Sequence, residues 1–229
     1  MRFLCVSDIH GHAAALSAVL ATAERRGYTR ILVAGDICFP GPEPLRTWRR
    51  LRQLGAVCVQ GVCDRALATL DPTDLRPRDD HQRARLRRLR EVRAELGPRL
   101  LPRLAKLPQQ VRQPLGGGRQ LLLVHGSPLD PLEPLWPAMT DATLAKMLGE
   151  DPASVVVCGG SHQPFDRLIR REPAPGVPAL TRVINLGSVG EATGAGGAMP
   201  GRFADATFVE SCDDGIEVEQ FLVPLGKAA

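Results

Sequence analysis

The sequence lacks any long apolar run, and this absence excludes one class of protein. A membrane-spanning helix needs about 20 consecutive, predominantly apolar residues, and no apolar run in this chain approaches that length. The first residues, MRFLCVSDIHGH, also lack the apolar core and the small-residue cleavage site of a secretory signal. We therefore expect a cytoplasmic protein with no membrane partner.

The sequence also lacks closely spaced pairs of cysteines. The chain has six cysteines, none of them spaced as Cys-x-x-Cys, and most lie in or beside apolar runs. Disulfide bonds are not expected in a chain without an export signal. Most of these cysteines are therefore predicted to be small core residues, and Cys63 is the one for which a second role is considered below.

Composition and charge indicate a single globular domain. Of 229 residues, 44% are apolar and 24% charged, which is the balance of a globular protein. With no internal repeat or clear linker, we predict one domain over residues 1–229. The net charge of +4 is uneven, because residues 76–106 contain eleven basic against four acidic residues, a local net charge of +7. An Arg-rich helical segment is predicted at about 78–107, broken at Gly97 and Pro98, with an Arg-covered outer side.

Short apolar runs predict buried strands at 3–6, 31–35, 56–61, 121–126 and 154–160. Helical spacing predicts helices over 12–27 and 44–55, each ending at a glycine. The resulting strand–helix–strand order is typical of an α/β fold with parallel strands. From about Thr181 the chain is predicted to be β-rich, with strands at 181–187, 203–210 and 215–223, a tight hairpin turn at 214–216 and a flexible loop at 190–201.

Polar side chains follow the predicted strands where each strand ends. Ligand-binding groups of open α/β sheets gather outside the carboxyl ends of the strands. An Asp at such a place is commonly a helix cap or a turn former, but several carboxylates and imidazoles meeting at one edge need a compensating cation. Mixed Asp and His donors favour manganese, iron or zinc over calcium. The residues concerned are Asp8, His10, Asp36, Asp64, His125 and His162.

Five segments resemble the motifs of the calcineurin-like metallophosphoesterases, in the order of that family. They are DIH at 8–10, GD at 35–36, GVCD at 61–64, HG at 125–126 and GGSH at 159–162. The similarity is greatest to the small bacterial and archaeal phosphodiesterase branch, and NLGSVG at 185–190 resembles a loop of that branch. The resemblance implies a four-layer α/β/β/α sandwich of two mixed sheets flanked by helices.

The resemblance also implies a two-metal centre, of which one site is complete. Its implied ligands are Asp8, His10, Asp36 and His162. The second site would share Asp36 and use His125, but Val62 stands where the family has an Asn and Gly160 where it has a His. We therefore predict a degenerate second site and one divalent cation per chain, with Mn favoured among Mn, Fe, Zn, Ni and Mg.

Three further residues receive predicted catalytic roles from the resemblance. Cys63 occupies the position where many relatives have a His that donates a proton or contacts phosphate, although a buried core thiol is an equal interpretation. Asp64 is expected to orient its loop or to cap the following helix. His12, just after the first motif, is a candidate for facing the phosphate.

Two functions of different class follow from these observations. The first is a metal-dependent phosphoesterase acting on a phosphodiester or nucleotide-type substrate, mainly through one metal site and with weakened or altered activity. The second is a catalytically inactive family member that binds a phosphorylated ligand or a partner. Nucleic-acid binding by the Arg-rich helices is a third hypothesis, and a solvated basic face is favoured over it.

Overall fold

The computed structural model describes residues 1–192, 202–212 and 215–226. Most of the predicted loop at 190–201 lies outside these residues, as does the first residue of the predicted turn at 214–216. The described part contains ten strands and five helices. The helices are α1 (Ala13–Glu24), α2 (Pro44–Gln53), α3 (Val62–Thr69), α4 (Asp80–Ala105) and α5 (Asp141–Leu148). The strands are β1 (Arg2–Val6), β2 (Arg30–Val33), β3 (Val57–Cys58), β4 (Gln110–Pro114), β5 (Gln120–Val124), β6 (Val155–Cys158), β7 (Phe165–Arg170), β8 (Leu180–Asn185), β9 (Phe203–Cys212) and β10 (Gly215–Pro224).

The strands form two mixed five-stranded sheets. The first has the order β10-β9-β1-β2-β3, in which β1, β2 and β3 are parallel and β9 and β10 antiparallel. The second has the order β4-β5-β6-β8-β7, in which β5, β6 and β8 are parallel and the two outer strands antiparallel. Each sheet therefore sends three parallel strands towards one common edge.

Alternation along β1 explains the layers. Phe3 and Cys5 pack in a core shared with Leu121 and Val155 of the second sheet, whereas Leu4 and Val6 pack in a core with α1, α2 and α4. Successive strand residues point to opposite faces, so an almost continuous apolar strand is covered on both sides. On the far side of the second sheet, α5 closes a third core. The predicted order of helix, sheet, sheet and helix layers is confirmed.

Most predicted elements match the observed ones, and the differences have physical reasons. The strand predicted at 56–61 shortens to β3, because Gln60 leaves the sheet and its side-chain amide donates to Leu104 O at 2.8 Å. Sequence reasoning missed β4, β7 and α5. Outer antiparallel strands need apolar residues on one face only. In β4 and β7 this weak pattern is obscured by polar residues and, in β4, by a proline. The predicted hairpin is supported by the pairing of Gly215 with Cys212.

The Arg-rich segment forms α4, with a break at Gly97 (φ 69°) that divides it into two helices as predicted. Most of its arginines are exposed, in agreement with the predicted Arg-covered outer side, but Arg88 and Arg93 are half-buried. Arg88 donates to Pro40 O at 2.9 Å and to Gly41 O at 2.5 Å, and Arg93 donates to Leu67 O. These guanidinium groups satisfy backbone carbonyls of the loop after β2 and of α3, and they hold α4 against these two segments. No helix among the described residues has the length and apolar character that crossing a bilayer requires.

Candidate metal centre

The parallel strands of both sheets deliver the predicted polar residues to one place. The loops after β1 and β2 run side by side, since His10 N donates to Asp36 O at 2.8 Å and Gly11 N donates to Ile37 O at 2.8 Å. His125 follows β5, and Gly159 N in the loop after β6 donates to His125 O at 2.9 Å. The two sheets thus contribute to a single cluster at their carboxyl ends.

Backbone conformation singles out four of these residues. Asp8, His10, Asp36 and His162 have φ values of 51–56°, and they are the only non-glycine residues of the described chain with positive φ. This left-handed region costs about 1–3 kcal/mol per residue in general, although Asp and His tolerate it better than most. They are the four implied ligands of the complete site, so the strain is concentrated at the residues that the resemblance assigns to it.

Two glycines permit the close approach of the loops. A Cβ atom at Gly61 would overlap Asp36 Oδ1, and one at Gly159 would overlap Ser7 Oγ and approach Asp8 Oδ2 to 2.6 Å. Glycine at these two positions lets the loops after β3 and β6 lie directly against the carboxylates.

The candidate ligands form three groups, and within each group the ligand atoms lie within 4.8 Å of one another. We call Asp8, His10 and His162 the primary half-site. Asp36 and His125 form the secondary half-site, and Asp8 lies within the same distance of both. The third group joins His10 and Asp36 with Cys63. Asp8, His10 and Asp36 each belong to two of the three groups, but Asp36 shares no group with His162, so the four implied ligands of the complete site do not all fall in one group.

The histidine rings are oriented so that each presents Nε2 to the centre. His10 Nδ1 lies 2.5 Å from Phe39 O and His125 Nδ1 lies 2.6 Å from Ala34 O. Because a carbonyl only accepts hydrogen bonds, Nδ1 carries the proton and Nε2 is left with a lone pair in the neutral ring. His162 Nδ1 lies 3.4 Å from Glu191 Oε2. Such outer partners orient metal-ligating histidines in general.

The buried carboxylate of Asp8 shows that the cluster fits a cation. Its Oδ2 accepts from Ser7 Oγ at 2.6 Å and from Gly160 N at 2.9 Å. Its Oδ1 is buried and has no hydrogen-bond partner, yet it lies 3.2 Å from His162 Nε2 and 3.6 Å from His10 Nε2. These two nitrogens lie 3.1 Å apart. An unpaired carboxylate oxygen facing two imidazole lone pairs is a donor set suited to a divalent cation.

The pKa values of the clustered residues also indicate that the centre suits a cation. Burial lowers the pKa of His162 and of His125, but the facing carboxylates outweigh burial, so each pKa lies above its usual value. Burial raises the pKa of Asp8, but the contact with His162 and the surrounding histidines hold it below its usual value. The centre as a whole favours additional positive charge.

The secondary half-site is buried and, together with Asp8, also brings three candidate ligands close to one another, but positions 62 and 160 add no side-chain donor to it. His125 Nε2 lies 3.7 Å from Asp36 Oδ1, and Asp36 Oδ1 also accepts from Cys63 N at 2.7 Å. A Cβ built at Gly160 would lie 3.3 Å from His125 Nε2, so a side chain at position 160 starts beside this half-site. Val62 is 44% exposed and apolar, and it offers no lone pair here.

The structure separates the three predicted catalytic residues. The thiol of Cys63 lies in the centre, and burial together with Asp36 raises its pKa well above the usual value, which keeps it protonated. Asp64 is fully buried and accepts from Ile37 N at 2.9 Å and Gly61 N at 3.1 Å, so it orients the loop and the start of α3. His12 lies half-buried before α1, between Gly41 and Gly190, and belongs to none of the three ligand groups.

Sequence reasoning missed the residues that brace the primary half-site. Ser188 Oγ donates to Asp8 O at 2.9 Å, and Ser188 N donates to Asp205 Oδ2 at 2.9 Å. Asn185 Nδ2 donates to Gly159 O at 2.9 Å. The NLGSVG segment had signalled a family loop without a role, and Glu191, which contacts His162, lies just beyond it. The positioning roles of Ser188, Asn185 and Glu191 become visible only in their contacts with residues that are distant in sequence.

Two mixed sheets with an Asp and His cluster at their carboxyl ends define a candidate metal-binding α/β sandwich. The sequence matches the calcineurin-like phosphoesterase superfamily domain over residues 1–200. The chain belongs to this family, whose members include phosphoesterases. No significant match was found among curated protein sequences.

Solved structures share the fold. A hypothetical protein from Pyrococcus horikoshii OT3 is 22% identical, with a TM-score of 0.75 over 99% of this chain and 89% of that chain. A metallophosphoesterase from Sphaerobacter thermophilus is 22% identical, with a TM-score of 0.70 over 96% of this chain and 88% of that chain. A putative diadenosine tetraphosphatase is 20% identical, with a TM-score of 0.57 over 99% and 95%. At these identities the likeness concerns the fold alone.

Proposed function

We propose that the protein is a metal-dependent phosphoesterase of the small bacterial and archaeal phosphodiesterase type, acting on a phosphodiester or nucleotide-type substrate mainly through one cation. The observation that carries the proposal is the buried, unpaired Oδ1 of Asp8 facing the Nε2 atoms of His10 and His162. The proposed ligands of that cation are Asp8, His10, Asp36 and His162. Mn is the favoured metal, and the cytoplasmic location stays a prediction from the sequence.

The residues around this position have separable tasks. A bound divalent cation supplies charge stabilisation for the phosphoryl group and makes water more acidic. Asp8 and Asp36 provide the negative charge that holds it, and Phe39 O and Glu191 orient His10 and His162. His125 Nε2, which has no donor from position 62 or 160 to share a second cation with, can accept a proton or hydrogen-bond the substrate. The protonated thiol of Cys63 can donate to a phosphoryl oxygen.

The second metal position is proposed to be weakly held. Removing an outer-shell partner commonly weakens a metal site about 10- to 100-fold, and the loss of two direct donors at positions 62 and 160 should cost more. Reduced activity relative to two-metal relatives follows, because one clamp on the phosphoryl charge is lost.

The direct test combines metal content with turnover. The purified chain is loaded with Mn, its bound metal is measured by mass spectrometry, and hydrolysis of bis(4-nitrophenyl) phosphate is followed. We expect about one Mn per chain and turnover that disappears in Asp36→Ala. Turnover no greater than that of Asp36→Ala would reject the enzyme. Retained Mn and tight binding of phosphate in that case would favour the second candidate, a non-catalytic protein that binds a phosphorylated ligand.

A further inference from the structure

An apolar cavity lies directly beside the candidate metal centre. Its volume of about 260 Å³ is close to the lower limit of small-molecule sites, which is about 300 Å³. It lies between α3, the 70–77 segment and the first turns of α4. Its apolar lining includes Phe39, Val62, Ala66, Leu70, Leu75 and Leu86.

The cavity shares its inner wall with the metal centre. Cys63 lines the cavity, and its sulfur lies within 4.8 Å of ligand atoms of His10 and Asp36. Phe39 also lines the cavity, while its carbonyl oxygen lies 2.5 Å from His10 Nδ1. An organic group attached to a phosphoryl group at the centre therefore has an adjoining space on this side.

One positive charge stands between the two spaces. Arg85 Nη2 lies 3.8 Å from Cys63 Sγ, and its guanidinium carbon lies 4.9 Å from the centroid of the Phe39 ring. Arg85 is therefore placed to face a phosphoryl oxygen at the inner end of the cavity. A guanidinium group is well suited to binding phosphate.

The two other polar side chains of the cavity wall each make hydrogen bonds to nearby backbone groups. Arg76 donates to Thr73 O at 2.5 Å and to Leu75 O at 3.3 Å, and Gln82 Oε1 accepts from Arg78 N at 2.9 Å. Because most of the lining is apolar, sugar hydroxyls placed against it would lose water without gaining hydrogen bonds, which is unfavourable. Burial of an aryl or alkyl group here would be favourable, because apolar surface would be removed from water.

We propose that this cavity receives an aryl or alkyl group of the substrate while the phosphoryl group lies at the metal centre. The inference rests on the proposed function and narrows it, because it selects phosphoesters with an apolar group next to the phosphoryl group over those with a ribose there. Val62 has a part in this selection, since it presents an apolar surface to the cavity where the family places a metal-binding Asn.

The test uses phosphonates, which bind without reacting and so remove differences in leaving-group chemistry. Dissociation constants of 1-naphthylphosphonate and methylphosphonate are measured by calorimetry on the Mn-supplemented full chain. We expect the naphthyl compound to bind at least about 10-fold more tightly, as apolar pockets discriminate on that scale. Leu70→Ser and Ala66→Gln, both on the cavity wall, should reduce this ratio towards one. Leu168→Ser, at a 59% exposed position of β7, is the matched control and should keep it.

The outcomes separate this inference from the proposed function. Equal binding of the two phosphonates, no measurable binding of the naphthyl compound, or a ratio unaffected by both wall variants would overturn the inference even if the chain hydrolyses phosphodiesters. A cavity-dependent naphthyl preference would support it even without hydrolysis, in which case only the catalytic part of the proposed function fails. A wall variant that changes the oligomeric state and leaves the ratio intact would make the cavity an interface between copies and would also overturn the inference.

Discussion

The two halves of the candidate metal centre share the same fold edge but differ in completeness. In the primary half-site, Asp8, His10 and His162 converge, and each has positive φ, as Asp36 of the secondary half-site also has. In the secondary half-site, His125 is as well oriented as His10, but the side chains at 62 and 160 bring no donor. A correctly oriented histidine is therefore not sufficient to define a metal site. What separates the two halves is the absence of a side-chain donor at positions 62 and 160.

The largest expected effect contrasts one histidine from each half-site. His162→Ala should weaken Mn binding by more than about 100-fold, because it removes a direct donor rather than an outer partner. His125→Ala should leave Mn affinity nearly unchanged and lower turnover instead. Titration of the metal-free proteins with Mn, followed by calorimetry, measures both. Equal losses of affinity in the two variants would break the distinction between the half-sites.

The pH dependence of the free energy of unfolding tests the role of Asp205, which holds the Ser188 segment beside the primary half-site. Burial raises the pKa of Asp205 to about 6, so this carboxyl group binds a proton more tightly in the folded than in the unfolded chain. The stability it contributes is full below about pH 4 and is lost as pH rises through the folded pKa, by up to about 3 kcal/mol. Asp205→Asn should therefore gain in free energy of unfolding relative to wild type between pH 4 and 7.

Urea unfolding of the metal-free proteins at several pH values measures this difference. Glu217→Gln, at an exposed position of β10, is the control and should follow the wild-type profile. A constant difference between Asp205→Asn and wild type across the range would show that Asp205 does not couple its proton to folding.

Restoring the missing donors sharpens the comparison further. Val62→Asn together with Gly160→His should raise the metal content towards two per chain and increase turnover about 10-fold or more. Gly160→Ala alone is the control, because φ is 76° at this position and any side chain there adds backbone strain without a ligand. Unchanged metal content in a folded double variant would mean that the secondary half-site has been rebuilt for another purpose.

The smallest effect concerns the outer partner of His162. Glu191→Gln removes the negative charge that lies 3.4 Å from His162 Nδ1 and should weaken Mn binding about 10-fold. Mn titration measures the change. Glu172→Gln is the control, because this residue lies in the loop that follows β7 and is absent from the candidate ligand groups. Identical affinities in Glu191→Gln and Glu172→Gln would remove Glu191 from the account.

The sequence predicts this molecule best where local pattern and topology agree. Asp8, Asp36 and His125 were placed correctly at strand ends, since parallel strands bring their carboxyl ends together whatever the distance in sequence. The strands β4 and β7 were not predicted, because outer strands bury little and show little apolar pattern.

The parts that sequence reasoning missed depend on contacts between distant segments. Glu191 meets His162, and Ser188 holds the backbone of Asp8, yet nothing in the local sequence around either pair signals the contact. Arg88 belongs to a charge run that suggests a solvated face, but its guanidinium group binds two backbone carbonyls. Such pairings become visible only once the chain has folded.

Anomalous diffraction at the manganese edge, from crystals grown with excess Mn, tests the central claim most directly. We expect one strong peak bounded by the proposed ligands Asp8, His10, Asp36 and His162, and a weak or missing peak beside His125. Two peaks of equal height, or a single peak beside His125, would contradict it.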